Sequence, residues 1–212
     1  MRRLPVYLLL DTSGSMSGEP IEAVRNGMQT LVSALRQDPH ALESAFLSVI
    51  TFNETAQQVV PLTELGQFQI PVLAASGTTS MGAALDLLCV RAAAEVAKTT
   101  AEQKGDWKPI VFMMTDGVAT DELDAGIAAL KAAKLGAFIA CAAGPAANVT
   151  DLQRITDSVV RLDTADSNTI KAFFKWVSAS IATTSQKVDL AKKEAAGLDD
   201  LPPPPPEVNV VL

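Results

Sequence analysis

The chain has 212 residues, 48% hydrophobic, 19% charged and 5% aromatic, and its 24 acidic and 17 basic side chains leave a net charge of −7. At about 150 residues per domain this is one large domain, or one domain with a tail, and it is long enough to bury a core without staples. An acidic balance excludes nucleic acid and anionic membrane surfaces as partners, and a single histidine, His40, with two cysteines inside apolar runs, Cys89 and Cys141, excludes histidine-based metal sites and Ser-His or Cys-His catalysis.

Met1-Arg2-Arg3 and the apolar residues after it have the outline of a secretion signal, but the apolar run stops at Asp11 without a small-residue cleavage site. No segment approaches the roughly 20 apolar residues of a membrane span, and a cytoplasmic protein is expected. Val6 to Leu10 is short and wholly apolar, as in a strand buried on both faces. Gly18-Glu19-Pro20 then opens a helix, since proline is tolerated in a first turn. Ile21, Val24, Met28, Leu31, Val32 and Leu35 follow at helical spacing, and Pro39 is expected to close the element. Ala45 to Phe52 and Val59 to Leu62 are strand-like. About six residues separate them, whereas a parallel crossover needs about a dozen. The pair is therefore a hairpin, which puts one antiparallel strand into the sheet.

Ser76-Gly77-Thr78-Thr79-Ser80 is a polar loop before a helix carrying Met81, Ala84, Leu85, Leu88 and Val96. Pro109 to Thr115 is the next buried strand and ends at Asp116-Gly117. Asp121 to Lys134 is expected to be helical, with Asp121 and Glu122 as first-turn acids and Gly136 as its C-terminal cap. A strand from Ala137 to Ala143, a short helix from Val149 to Ile155, a last strand from Ser158 to Leu162 and an amphipathic helix from Ile170 to Ile181 complete the alternation. This is the pattern of an α/β protein: an open, mostly parallel sheet of about six strands with helices on both faces. Cys89 and Cys141 are expected to be buried free thiols. The domain is expected to occupy residues 1–183. From 184 to 212 the chain is charged and Ala-rich, then carries five prolines, Pro202 to Pro206, which favour an extended polyproline form. Such a tail is either solvated or, because Val208, Val210, Val211 and Leu212 end it, a docking segment.

Ligand sites in such sheets lie beyond the carboxyl ends of the strands, at the switch in strand order. Three polar segments occupy strand ends or helix starts: Asp11-Thr12-Ser13-Gly14-Ser15, Gly77-Thr78-Thr79-Ser80 and Thr115-Asp116-Gly117. Their donors are all oxygen. Asp11, Ser13 and Ser15 alternate, so an extended turn lets them converge while Gly14 bends the chain. Two carboxylates, Asp11 and Asp116, and three hydroxyls, Ser13, Ser15 and Thr79, make a hard ligand set for an octahedral divalent cation. Mg²⁺ suits it best, and Mn²⁺ has similar preferences. Hydroxyls bring no formal charge, so the ion stays electrophilic and an outside carboxylate can replace one of its waters.

Asp-Thr-Ser-Gly-Ser after an apolar strand, Gly-Thr-Thr-Ser-Met-Gly-Ala-Ala-Leu at a helix start and Met-Thr-Asp-Gly after a later strand, in that order, resemble the von Willebrand factor type A domain family over roughly residues 4 to 182. The resemblance implies a Rossmann-like sheet with one antiparallel edge strand and a metal-ion-dependent adhesion site. Asp11, Ser13 and Ser15 match the first segment of that site and Asp116 its last aspartate. Thr79, six residues before Leu85, matches its threonine, with Thr78 as the competitor. In such domains the serines and threonine hold the ion directly and the aspartates often act through water. The implied function is non-enzymatic binding of a protein partner that supplies an acidic residue. The run from Arg2 to Glu22, with Val49-Ile50-Thr51-Phe52 and Gly105-Asp106-Trp107-Lys108-Pro109, looks more narrowly like the TerY-type proteins of bacterial tellurium-resistance and stress-response clusters. That likeness implies a cytoplasmic module beside kinase-like and phosphatase-like partners.

Three other accounts compete. Asp-Thr-Ser-Gly-Ser taken alone also suits a hydrogen-bonded turn. A Mg²⁺-dependent phosphohydrolase of the haloacid dehalogenase type also places an aspartate after the first strand, but needs a second acid two residues on, where this chain has Ser13. A scaffold that works without metal is the third.

Overall fold

The computed structural model describes residues 2–191 and 193–211. Met1 and Leu212, named above for the signal-like start and the apolar tail end, lie outside the described residues. Strand β1 (Leu4–Asp11) is buried along its whole length. Leu4, Val6, Leu8 and Leu10 face one core and Tyr7 and Leu9 the other, which is why the run shows no polar alternation. β2 (Ala45–Phe52) lies parallel to β1, and β3 (Ala56–Glu64) folds back on β2 as the expected antiparallel hairpin. β4 (Ile110–Thr115), β5 (Phe138–Ala143) and β6 (Val159–Leu162) continue in parallel on the other side of β1. Helices α1 (Glu19–Leu35) and α6 (Ser167–Gln186) pack on one face; α3 (Met81–Glu95), α4 (Asp124–Ala132) and α5 (Val149–Ile155) cover the other.

Several boundaries differ from expectation for local reasons. Pro39 starts a helix rather than ending one: in α2 (Pro39–Ser44) the carboxylate of Asp38 accepts from the amide of Ala41 at 2.8 Å, and proline sits in the first turn. His40 thereby lies on a helix, 3.1 Å from Asp189 through Nδ1. α4 begins only at Asp124, because Asp121 serves another helix: its carboxylate accepts from the amides of Gly82 and Ala83, both at 2.9 Å, at the start of α3. α4 also stops at Ala132, so Gly136 is not its cap; the Gly136 amide donates to Pro109 O instead. Cys141 is fully buried, but Cys89 is only half-buried. Both are free, and they flank opposite faces of the sheet, which keeps them apart.

The sheet has seven strands rather than six, in the order β3-β2-β1-β4-β5-β6-β7. The extra strand, β7 (Asn209–Val210), comes from the tail and pairs antiparallel with β6. α6 runs through position 183 to Gln186, and the chain beyond it returns to the domain. Leu201 and Val208 are buried, and the indole Nε1 of Trp176 donates to Pro202 O at 2.8 Å. These are the contacts of a docking segment, not of a solvated tail, and the surface it docks on is this chain's own. Among the described residues no helix is long and apolar enough to cross a membrane.

Candidate metal centre

The strand order reverses direction between β1 and β4, so their carboxyl ends open a crevice at the switch point. Leu10 is paired with Met114, which sets Asp11 beside Thr115. The Thr115 hydroxyl donates to Asp11 Oδ2 at 2.5 Å, and the Ser13 amide donates to Asp11 Oδ1 at 2.7 Å. Both oxygens of Asp11 are thus fixed, in a residue 1% exposed.

The segment after β1 turns through a short 3-10 helix, Gly14–Met16, that carries Ser15. It is pinned to the loop before α3, where Ser76 N donates to Thr12 O at 2.9 Å and Gly14 N to Gly77 O at 3.0 Å. Gly77 has φ +73°, a conformation that favours glycine, and a Cβ there would also displace the exposed side chain of Glu54, whose Cγ would lie 2.5 Å away. This crossing delivers Thr79 to the crevice. The Thr79 amide donates to the Thr120 hydroxyl at 3.0 Å, and the Thr120 amide donates back to Thr79 O at 2.9 Å. Thr79 is buried and Thr78 exposed, so of the two threonines it is Thr79 that turns inward.

The five candidate side chains come together. Ser13 Oγ and Ser15 Oγ are 3.0 Å apart, and Ser15 Oγ donates to Asp116 Oδ1 at 2.7 Å. A Cβ built on Gly117 would face Thr79 Oγ1 at 3.4 Å, Ser15 Oγ at 3.8 Å and Asp11 Oδ2 at 4.0 Å. The absent side chain at 117 therefore leaves room on which hydroxyls and a carboxylate converge from all three segments.

The electrostatics fit a cation. Burial raises the pKa of Asp11; hydrogen bonds from Ser13 and Thr115 oppose this, and the nearby Asp116 charge adds to it. Burial raises Asp116 too, against the donor Ser15. Among the described residues no Lys, Arg or His forms an ion pair with either carboxylate. Buried negative charge without a counter-charge is costly, and a divalent ion would offset it. The Thr79 hydroxyl, in a residue 5% exposed, makes no hydrogen bond among the described residues and lies at the same space beside Gly117. No group of three or more His, Cys, Asp or Glu forms a metal cluster among the described residues, so any ion here rests largely on hydroxyls, as hard cations tolerate.

Three residues support the site in roles the sequence did not suggest: Thr115, seen only as part of the strand-end segment, orients Asp11; Thr120, not named, positions Thr79; and Asp121, expected as a first-turn acid of the following helix, caps α3. Thr115 and Asp121 flank the Asp116-Gly117 motif, but their partners lie 104 and 39 residues away, and no local pattern reveals such pairs.

The sequence model of the von Willebrand factor type A domain matches residues 6–176. A curated relative from Synechocystis, described as uncharacterized, is 32% identical over 123 residues, covering 55% of this chain and 26% of its own length. The chain thus spans about a quarter of that relative. Among solved structures, a von Willebrand factor type A protein from Catenulispora acidiphila superposes with a TM-score of 0.64 at 20% identity, over 86% of this chain and 43% of the other. Proximal thread matrix protein 1 from the mussel byssus, described with a zinc-occupied MIDAS motif, gives 0.62 at 19% identity over 84% and 48%. At these identities the structural likeness establishes the fold.

Proposed function

This chain belongs to the von Willebrand factor type A domain family, and from that premise we propose that it is a metal-dependent protein-binding module that captures a carboxylate of its partner. The observation that carries the reading is the cradle itself: two buried, uncompensated carboxylates and three hydroxyls, brought from three distant segments to one opening. Ser13, Ser15 and Thr79 are the direct oxygen donors. Ser15 donates its proton to Asp116, so it accepts from Ser13 and retains one lone pair for an ion. Asp11 and Asp116 supply the charge, with Asp11 held in orientation by Thr115. A hard, all-oxygen set without histidine or cysteine favours Mg²⁺, with Mn²⁺ as the alternative, although the mussel protein's site holds zinc. The chemistry such an ion supplies is that of an electrophilic centre with exchangeable waters, one of which a carboxylate can replace.

The narrower resemblance in residues 2–22 supports a place in a bacterial tellurium-resistance or stress-response system, in the cytoplasm, beside kinase-like or phosphatase-like proteins. The expected boundary at 183 falls inside α6, so in this reading the interaction domain extends through α6 to Gln186, and the described residues after it form its strap. Position 13 is serine where a haloacid dehalogenase-type enzyme needs an acid, so we assign no catalysis.

The test combines calorimetry with Mg²⁺ and partner capture with and without chelator, on wild type, Asp11→Ala and Ser13→Ala. Both variants are expected to keep their circular dichroism and to lose Mg²⁺ binding and Mg²⁺-dependent capture. Capture that persists in both variants and in excess chelator would identify a metal-free scaffold. Metal-dependent phosphoester turnover abolished by Asp11→Asn would identify an enzyme.

A further inference from the structure

A cavity of about 210 Å³ opens beside the cradle, between the β2–β3 hairpin and the segment leading to Gly77. Thr12, flanked by Asp11 and Ser13, forms its inner end; Asn53, Gln57, Val59, Val72 and Leu73 are among its walls, and no charged residue lines it. Val72 is 89% exposed and Val59 38% exposed. The outer wall is held in place, because Arg25 Nη2 donates to Leu73 O at 2.8 Å and Arg25 Nη1 is fixed by Glu22 at 3.0 Å. The inner wall is held by the Ser76–Thr12 bond.

Resting on the adhesion-site reading, we propose that this cavity is a specificity pocket for an aliphatic side chain one or two residues from the partner's acidic residue. Three observations select that occupant. An apolar cavity of about 150 Å³ accommodates benzene, so the volume here suits one branched aliphatic side chain such as Leu or Ile. A lining without charge offers nothing to offset a second buried ion, so a charged neighbour is disfavoured, while the exposed side-chain amide of Gln57 faces the peptide backbone; that of Asn53 is already held by Ser76 and Thr55. Thr12 joins the pocket to the cradle directly, and an extended peptide advances about 3.3–3.6 Å per residue, so one segment reaches both. The partner motif is therefore an Asp or Glu with an apolar residue close to it in sequence, not an acidic cluster.

The probes are capped Gly/Ser nonapeptides with one central Asp, carrying Leu one or two positions before or after it, or no Leu. They are titrated by NMR into the full chain with saturating Mg²⁺ and again with chelator; Mg²⁺ affinity is measured separately by calorimetry. At least one Leu peptide is expected to bind about tenfold more tightly than the Leu-free peptide, on the scale of burying one such side chain. Val59→Ser and Val72→Ser are expected to reduce that advantage to about threefold or less, and to leave Mg²⁺ affinity and the Leu-free peptide unchanged. Mg²⁺-dependent binding with every Leu peptide within about twofold of the Leu-free one, or an advantage that survives both substitutions, overturns the pocket and leaves the adhesion site standing. Absence of Mg²⁺ binding, or peptide binding indifferent to chelator, overturns the adhesion-site reading and the pocket with it.

Discussion

Replacing Thr115 by valine keeps its shape and removes one oxygen atom. In the fold that oxygen donates to Asp11 Oδ2 at 2.5 Å and accepts from the Gly117 amide at 3.2 Å, in a residue with no exposed surface. The bond to Asp11 is buried, so water does not replace it, whereas the Gly117 amide is only partly buried. A hydrogen bond to a charged group contributes about 1.5–3 kcal/mol and a long neutral one less, so Thr115→Val is expected to destabilise the metal-free protein by about 2–3 kcal/mol. For a chain of this size that lowers Tm by about 5–10 °C. Thr115→Ser retains the oxygen and loses one methyl, worth about 1 kcal/mol. Urea and thermal unfolding in excess chelator, which removes any stabilisation by bound metal, are expected to rank wild type above Thr115→Ser and Thr115→Val last. A valine variant as stable as the serine variant would refute the claim that Thr115 anchors Asp11.

Asp166 caps α6, accepting from the amides of Asn168 at 2.9 Å and Thr169 at 3.0 Å, and Asp166→Ala is expected to cost about 1 kcal/mol at neutral pH. The Thr164 hydroxyl, then the Thr169 and Asn168 amides, hold its pKa below the ordinary aspartate value. Its contribution is therefore complete above that ordinary value, and is lost as pH falls from there through the lower folded-state value. Unfolding curves across that acid range are expected to converge for wild type and variant; a constant difference would count against the cap. Trp176→Phe removes the bond to Pro202 O, and hydrogen exchange is expected to quicken at the Val208 and Val211 amides, which donate to Pro205 O and Val159 O. Exchange unchanged at both would mean that the strap is held without the indole.

Burial on both faces leaves a plain signature, so β1, β4 and β5 were evident as apolar runs, and the short spacer before β3 dictated a hairpin. The Asp-Thr-Ser-Gly-Ser turn was evident for a similar reason: its spacing is local, and the position after a buried strand sets its chemistry. Asp38-Pro39 also carried a local signal, a cap followed by a first-turn proline, that fits the start of α2 better than the end of α1.

By itself, then, the sequence determined the alternation of elements, the oxygen-bearing side chains of the three polar segments and their positions at strand ends or a helix start, because each follows from periodicity or adjacency along the chain. Tertiary structure alone decided that Thr115 grips Asp11 across the β1–β4 switch, that Asp121 caps α3 rather than opening α4, that Thr79 and not Thr78 faces the cradle, and that the tail supplies β7. Those outcomes depend on which strands become neighbours. A two-residue strand or a single hydroxyl has no periodicity of its own; it acquires a partner only when packing brings distant segments within hydrogen-bond reach.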